Sequence, residues 1–84
     1  MRRKRLHKTK NIVGKRVAQR RQARNPVLTQ DALSGKLAAL GIQLDRAAIA
    51  KIENNLRQVL DYELKALATV LEVDVDWLLD GERR

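Results

Sequence analysis

An 84-residue chain makes one small domain, and a domain of this size buries only about 60 to 65% of the surface its unfolded form exposes, which excludes a deep substrate cavity. With no cysteine, no phenylalanine, one tryptophan and one tyrosine, disulfides and thiolate metal sites are excluded, and the core must come from Leu, Ile, Val and Ala, a composition that suits packed helices. The net charge of +8 is uneven, since residues 1–24 carry eleven Lys or Arg and no acid while residues 25–84 carry seven bases and ten acids.

The first ten residues, with Arg2, Arg3, Lys4, Arg5, Lys8 and Lys10, have almost nothing apolar to bury, so residues 1–10 are expected to be a disordered basic arm. Such a polycation attracts phosphate backbones through counterion release, and anionic membranes or acidic proteins by the same charge. A helix is expected from Asn11, which can cap it, with Val13 and Val17 as its apolar stripe beside Lys15, Arg16, Arg20 and Arg21. Asn25-Pro26 ends it, because the residue before proline is pushed out of helical geometry.

Thr29 caps a second helix with Asp31 in its first turn, Leu33, Leu37 and Leu40 facing inward, and Gly41 as its stop. Asp45 caps a third, whose buried side is Ile49 and Ile52 and whose polar side chains lie on the opposite face; Asn55 closes it. Asp61 caps a fourth, with Glu63 in the first turn and Leu64, Leu67 and Leu71 inward. Asp74 caps a short fifth that carries Trp77, Leu78 and Leu79 before Gly81. The expected fold is all-α, with residues 11–82 as one domain behind the arm.

Catalytic chemistry is missing from this pattern. His7, the single histidine, lies in the arm and cannot hold fixed geometry with Ser34, whose expected role is packing where the second and third helices cross. Neither Gly14-Lys15 nor Gly35-Lys36 has the upstream glycine of a phosphate loop. No enzyme activity, cofactor, metal or small-molecule substrate is expected. Apolar runs fall short of the ~18 residues of a membrane span, and the start lacks a secretory signal's apolar centre. An acid-free, Arg-rich start also fits an organelle transit peptide, but no Ser precedes Ser34 and the segment runs straight into the domain. A soluble, cytoplasmic protein without a membrane partner is expected.

Thr29-Gln30 followed by Leu33, then Ile49-Ala50-Lys51-Ile52-Glu53, Leu64-Lys65-Ala66-Leu67-Ala68 and Asp76-Trp77-Leu78-Leu79-Asp80-Gly81 together resemble the phage-repressor (Cro-like, XRE) helix-turn-helix family. The resemblance implies a five-helix bundle in which the second helix crosses the DNA backbone and the third enters the major groove. By position, Gln30, with Thr29 at the same helix start, matches the family's backbone-positioning glutamine. Arg46, Ala47, Ala50 and Lys51 fall where relatives place base-facing side chains. Arg46 is the strongest candidate for direct reading, its fork matching both acceptors of a guanine. Arg21 and Glu53 match a structural ion pair, and Arg57 a phosphate-contact position in the following loop. Lys15 and Arg16 on the first helix, and Arg2, Arg3, Lys4 and Arg5 in the arm, are expected on phosphates as well.

Two connections are longer than the compact pattern. Asn25-Pro26-Val27 lengthens the first, and Ala38 to Leu44 adds residues between the second and third helices, so either the second helix runs on to Leu40 or an irregular linker follows it. The function expected from the resemblance is that of a sequence-specific transcriptional regulator acting on double-stranded DNA by operator occupancy. Its rivals are a partner-binding module such as an antitoxin, and sequence-neutral nucleic-acid binding by the arm. Three adjacent large apolar residues at 77–79 cannot all point inward, which leaves surface around Trp77 for a homodimer contact. The acids Asp74, Asp76, Asp80 and Glu82 would turn that end away from DNA.

Overall fold

The computed structural model describes residues 11–80, which form five helices: α1 Asn11–Ala23, α2 Gln30–Ala39, α3 Arg46–Glu53, α4 Asp61–Leu71 and α5 Val75–Asp80. No strand occurs among them. The proposed arm, with Arg2, Arg3, Lys4 and Arg5, and the stop at Gly81 lie outside the described residues. α1 packs on α3 and α5, and α2 on α3 and α4. The core they enclose is built from Val17, Leu33, Leu37, Leu44, Ile49, Ile52, Leu67, Leu71 and Leu78.

Local side-chain chemistry sets most of the helix ends. Thr29 Oγ1 accepts from the Ala32 N–H at 3.0 Å and Asp45 Oδ1 from the Ala48 N–H at 2.8 Å, each satisfying a donor that the first turn leaves orphaned. α2, α3 and α4 each close through a residue of positive φ: Gly41 (83°), Asn55 (62°) and Glu72 (60°). In all of them the following N–H reaches back five residues, from Ile42 to the Leu37 carbonyl, Leu56 to Lys51, and Val73 to Ala68. Gly41 and Asn55 suit that conformation. Glu72 holds it against the steric resistance of its Cβ.

Part of the longer α2–α3 connection is helical. Ala38 and Ala39 belong to α2, and Leu40 is its C-cap. Leu40 was expected inward but is half exposed, because the helix stops beneath it and the linker delivers Leu44 to the core. A second correction concerns α4. Leu60, not Asp61, is the N-cap; Asp61 is the first helical residue, and the Glu63 carboxylate reaches back to accept the Leu60 N–H at 3.0 Å.

Of the apolar trio on α5, Leu78 is fully buried and Leu79 is half exposed. Trp77 is half-buried, and the Arg16 guanidinium lies 4.8 Å above its ring, so one face of the expected contact surface is covered from within the chain. Gly14 fits where α1 crosses the end of α3: a Cβ there would overlap the backbone carbonyl of Ile52. That close approach needs glycine, which accounts for its presence inside a helix.

Candidate nucleic-acid interface

α3 presents two faces. Ile49 and Ile52 are buried, while Arg46, Ala47 and Lys51 are exposed and Ala50 is half-buried between them. The Asp45 cap fixes the start of this helix, and the pair of isoleucines fixes its rotation. Beside it, a shallow groove is lined by Thr29, Gln30 and Asp31 at the start of α2, by Arg46 at the start of α3, and by Arg21 and Val27. The Arg46 guanidinium is 3.7 Å from the Asp31 carboxylate, with 66% and 73% of their side chains exposed. An ion pair so solvated holds Arg46 weakly and leaves it able to swing to another acceptor.

Behind that groove the Glu53 carboxylate collects donors from two helices. Arg21 donates through Nε at 2.8 Å and Nη2 at 2.9 Å, and Gln30 through Nε2 at 2.9 Å. The third arm of the Arg21 fork, Nη1, donates to the Leu28 carbonyl at 3.2 Å and so fastens the α1–α2 connection. The pairing of Arg21 with Glu53 is present as expected; the bond from Gln30 is additional to its expected place facing a phosphate.

The basic residues of α1 divide. Lys15 is exposed, and with Arg16 it borders a second groove that runs past Gln19 and Gln22 to Glu53. Arg16 also stacks on Trp77 and donates to Gln19 Oε1 at 3.4 Å. Arg20 donates to the Leu71 carbonyl at 2.9 Å and Arg24 to the Val70 carbonyl at 3.3 Å. These carbonyls end α4, which has no basic residue in its own last turn. Arg20 of α1 and Arg24, the residue after it, thus supply the positive charge that a helix C-terminus favours. Sequence reading missed this, because the partners are 51 and 46 positions apart.

Arg57 also has an internal partner. It donates to Glu63 through Nη1 at 2.9 Å and Nη2 at 3.1 Å, and to the Gln58 carbonyl at 2.9 Å. Glu63 is buried, yet the hydrogen bond from Arg57 holds its carboxyl below the usual carboxylate range against the opposing effect of burial, with the Leu60 N–H assisting. The Arg57 pKa is raised by the same hydrogen bond. The signal available in sequence was a glutamate two residues into a helix with an arginine six positions before it.

Among the described residues no group of His, Cys, Asp and Glu is placed to hold a metal ion, and no helix is long and apolar enough to cross a membrane.

A family profile described as helix-turn-helix matches residues 18–78, from within α1 to within α5. The chain belongs to the Cro-like (XRE) helix-turn-helix family. That membership implies DNA binding, in a family that is typically non-enzymatic. Comparison with curated proteins and with solved structures finds no match in either.

Proposed function

We propose that the domain is a sequence-specific, DNA-binding transcriptional regulator that acts by covering its operator. The observation that carries this is the outward face of α3: Arg46, Ala47 and Lys51 are exposed, back to back with the buried Ile49 and Ile52. Short side chains at Ala47 and Ala50 let the helix approach base edges closely, and Arg46 and Lys51 bring donors to either end of the stripe. Thr29 and Gln30 hold a phosphate at the start of α2, where backbone N–H groups and the helix dipole favour an anion. Lys15, Arg16 and Arg57, with Arg2, Arg3, Lys4 and Arg5, add phosphate contacts that position the domain without reading sequence. Arg16 and Arg57 would share those phosphates with their internal partners.

Occupancy needs no cofactor and no reaction. A homodimer, with Leu79 beside Trp77 as its contact, would address two half-sites about 34 Å apart on one face of the duplex. The test is selection of bound fragments from random duplex, followed by competition between the selected site and a scrambled one at ~150 mM salt, where a specific regulator prefers its site by at least ~10³. Equal affinity would mean that the charge alone binds, and would overturn the proposal.

A further inference from the structure

One carboxylate joins the three helices that meet at the proposed DNA face. Glu53, on the last turn of α3 and with 7% of its side chain exposed, accepts two bonds from Arg21 on α1 and one from Gln30, the first residue of α2. A side-chain amide facing a carboxylate has its orientation fixed. Turned over, it would set its own oxygen against the Glu53 oxygen, and two acceptors cannot share a bond. With one N–H of Gln30 engaged by Glu53, the second diverges from it and remains available to another acceptor. Gln30 lines the same groove as Arg46.

We propose that Glu53 is a positioning residue for DNA binding and acts through Gln30. It holds the amide with a donor, not an acceptor, turned toward a phosphate oxygen. Because Glu53 belongs to the base-reading helix, the same bond sets the distance between the phosphate grip of α2 and the stripe from Arg46 to Lys51. This rests on the DNA-binding reading above. Arg21 has a different part: it neutralises Glu53 and fixes the α1–α2 connection, and the Gln30 bond does not pass through it.

Affinity for a selected and a scrambled duplex, with its salt dependence, is measured for the wild type and for Gln30→Ala, Glu53→Met, the double variant and Arg21→Lys, each checked by thermal melting to be folded at the assay temperature. Gln30→Ala and Glu53→Met are each expected to weaken both duplexes about tenfold, as for one bond to a charged group. The double variant should lose no more than either single change, because both remove the same contact. For Gln30→Ala the slope of log affinity against log salt is expected to change little, since Gln30 is neutral. Arg21→Lys breaks the fork but spares the Gln30 bond, so it lowers the melting temperature while affinity stays within about twofold of wild type. Should Glu53→Met fail to fold, Arg21→Met/Glu53→Met, an apolar replacement of the whole pair, takes its place with the same expected loss.

Additive losses, or an Arg21→Lys variant as impaired as Glu53→Met, would show a purely structural role and overturn the proposal alone. A wild type that binds no duplex overturns the DNA-binding reading and the proposal together. Without any DNA, the Gln30 side-chain amide protons should also shift in the NMR spectrum of Glu53→Met; unchanged resonances contradict the bond itself.

Discussion

Arg57→Met tests the structural role of Arg57, which lies in the connection between α3 and α4. The change removes both guanidinium bonds to Glu63, leaving its buried carboxylate with the Leu60 N–H. Breaking a buried ion pair from one side costs about 3 to 5 kcal/mol. Arg57 keeps 32% of its side chain exposed against 5% for Glu63, so water screens part of the interaction and the expected loss is about 2 to 3 kcal/mol. A domain of this length has roughly 4 to 13 kcal/mol of stability in all, so the variant still folds at low temperature. In urea at pH 7, with a slope of about 1 kcal/mol per molar, the midpoint should fall by about 2 to 3 M.

Titration gives the same prediction a sign. In the wild type, Glu63 has a folded pKa below its unfolded one, so its contribution to stability is present above the unfolded value of about 4.3 and is lost as pH falls through the folded value. Without Arg57, burial dominates and pushes the carboxyl up. The variant's deficit should therefore shrink between pH 7 and about pH 4, as protonation relieves the buried charge. Glu63→Gln in the same background should remove that dependence. A midpoint shift under about 0.5 M, or a deficit that is constant with pH, would refute the account of this pair.

Three further changes test other parts of the fold. Gly14→Ala puts a methyl against the Ile52 carbonyl, and with backbone on both sides it should cost about 1 to 3 kcal/mol in chemical unfolding; a neutral result would mean that α1 and α3 do not cross so closely. Glu72→Gly relieves a left-handed residue and removes an acid from the end of α4, so calorimetry should show a gain of about 1 kcal/mol, and a loss would contradict the strained closure. Deleting residues 1–10 should weaken binding to every duplex and flatten the salt dependence while sparing sequence preference. An unchanged slope removes the arm from the phosphate contacts.

What the sequence made legible was chemistry acting over one turn. Thr29 and Asp45 cap, and Gly41 and Asn55 close, because each acts on backbone groups a few residues away. Leu33, Leu37, Ile49 and Ile52 are buried at helical spacing, whereas Leu40, at the same spacing, fails because periodicity does not report where a helix stops. Asp61 looked like a cap from its residue type; the buried Glu63, held by Arg57, does that work instead. Charge was the least legible feature. Arg20 read as part of a basic stripe, yet it bonds to the Leu71 carbonyl, and Arg24, for which the sequence offered no role, bonds to the Val70 carbonyl. Only chain folding decides which cations remain for a polyanion.

If the outward face of α3 reads bases, binding selection repeated with Arg46→Ala reports it. Preference is expected to relax at one base position per half-site, at a cost of about 1 to 3 kcal/mol for the favoured base, while the rest of the motif persists. If affinity instead falls by the same factor for every sequence and the selected motif is unchanged, Arg46 holds the backbone, and the outward face of α3 does not read bases.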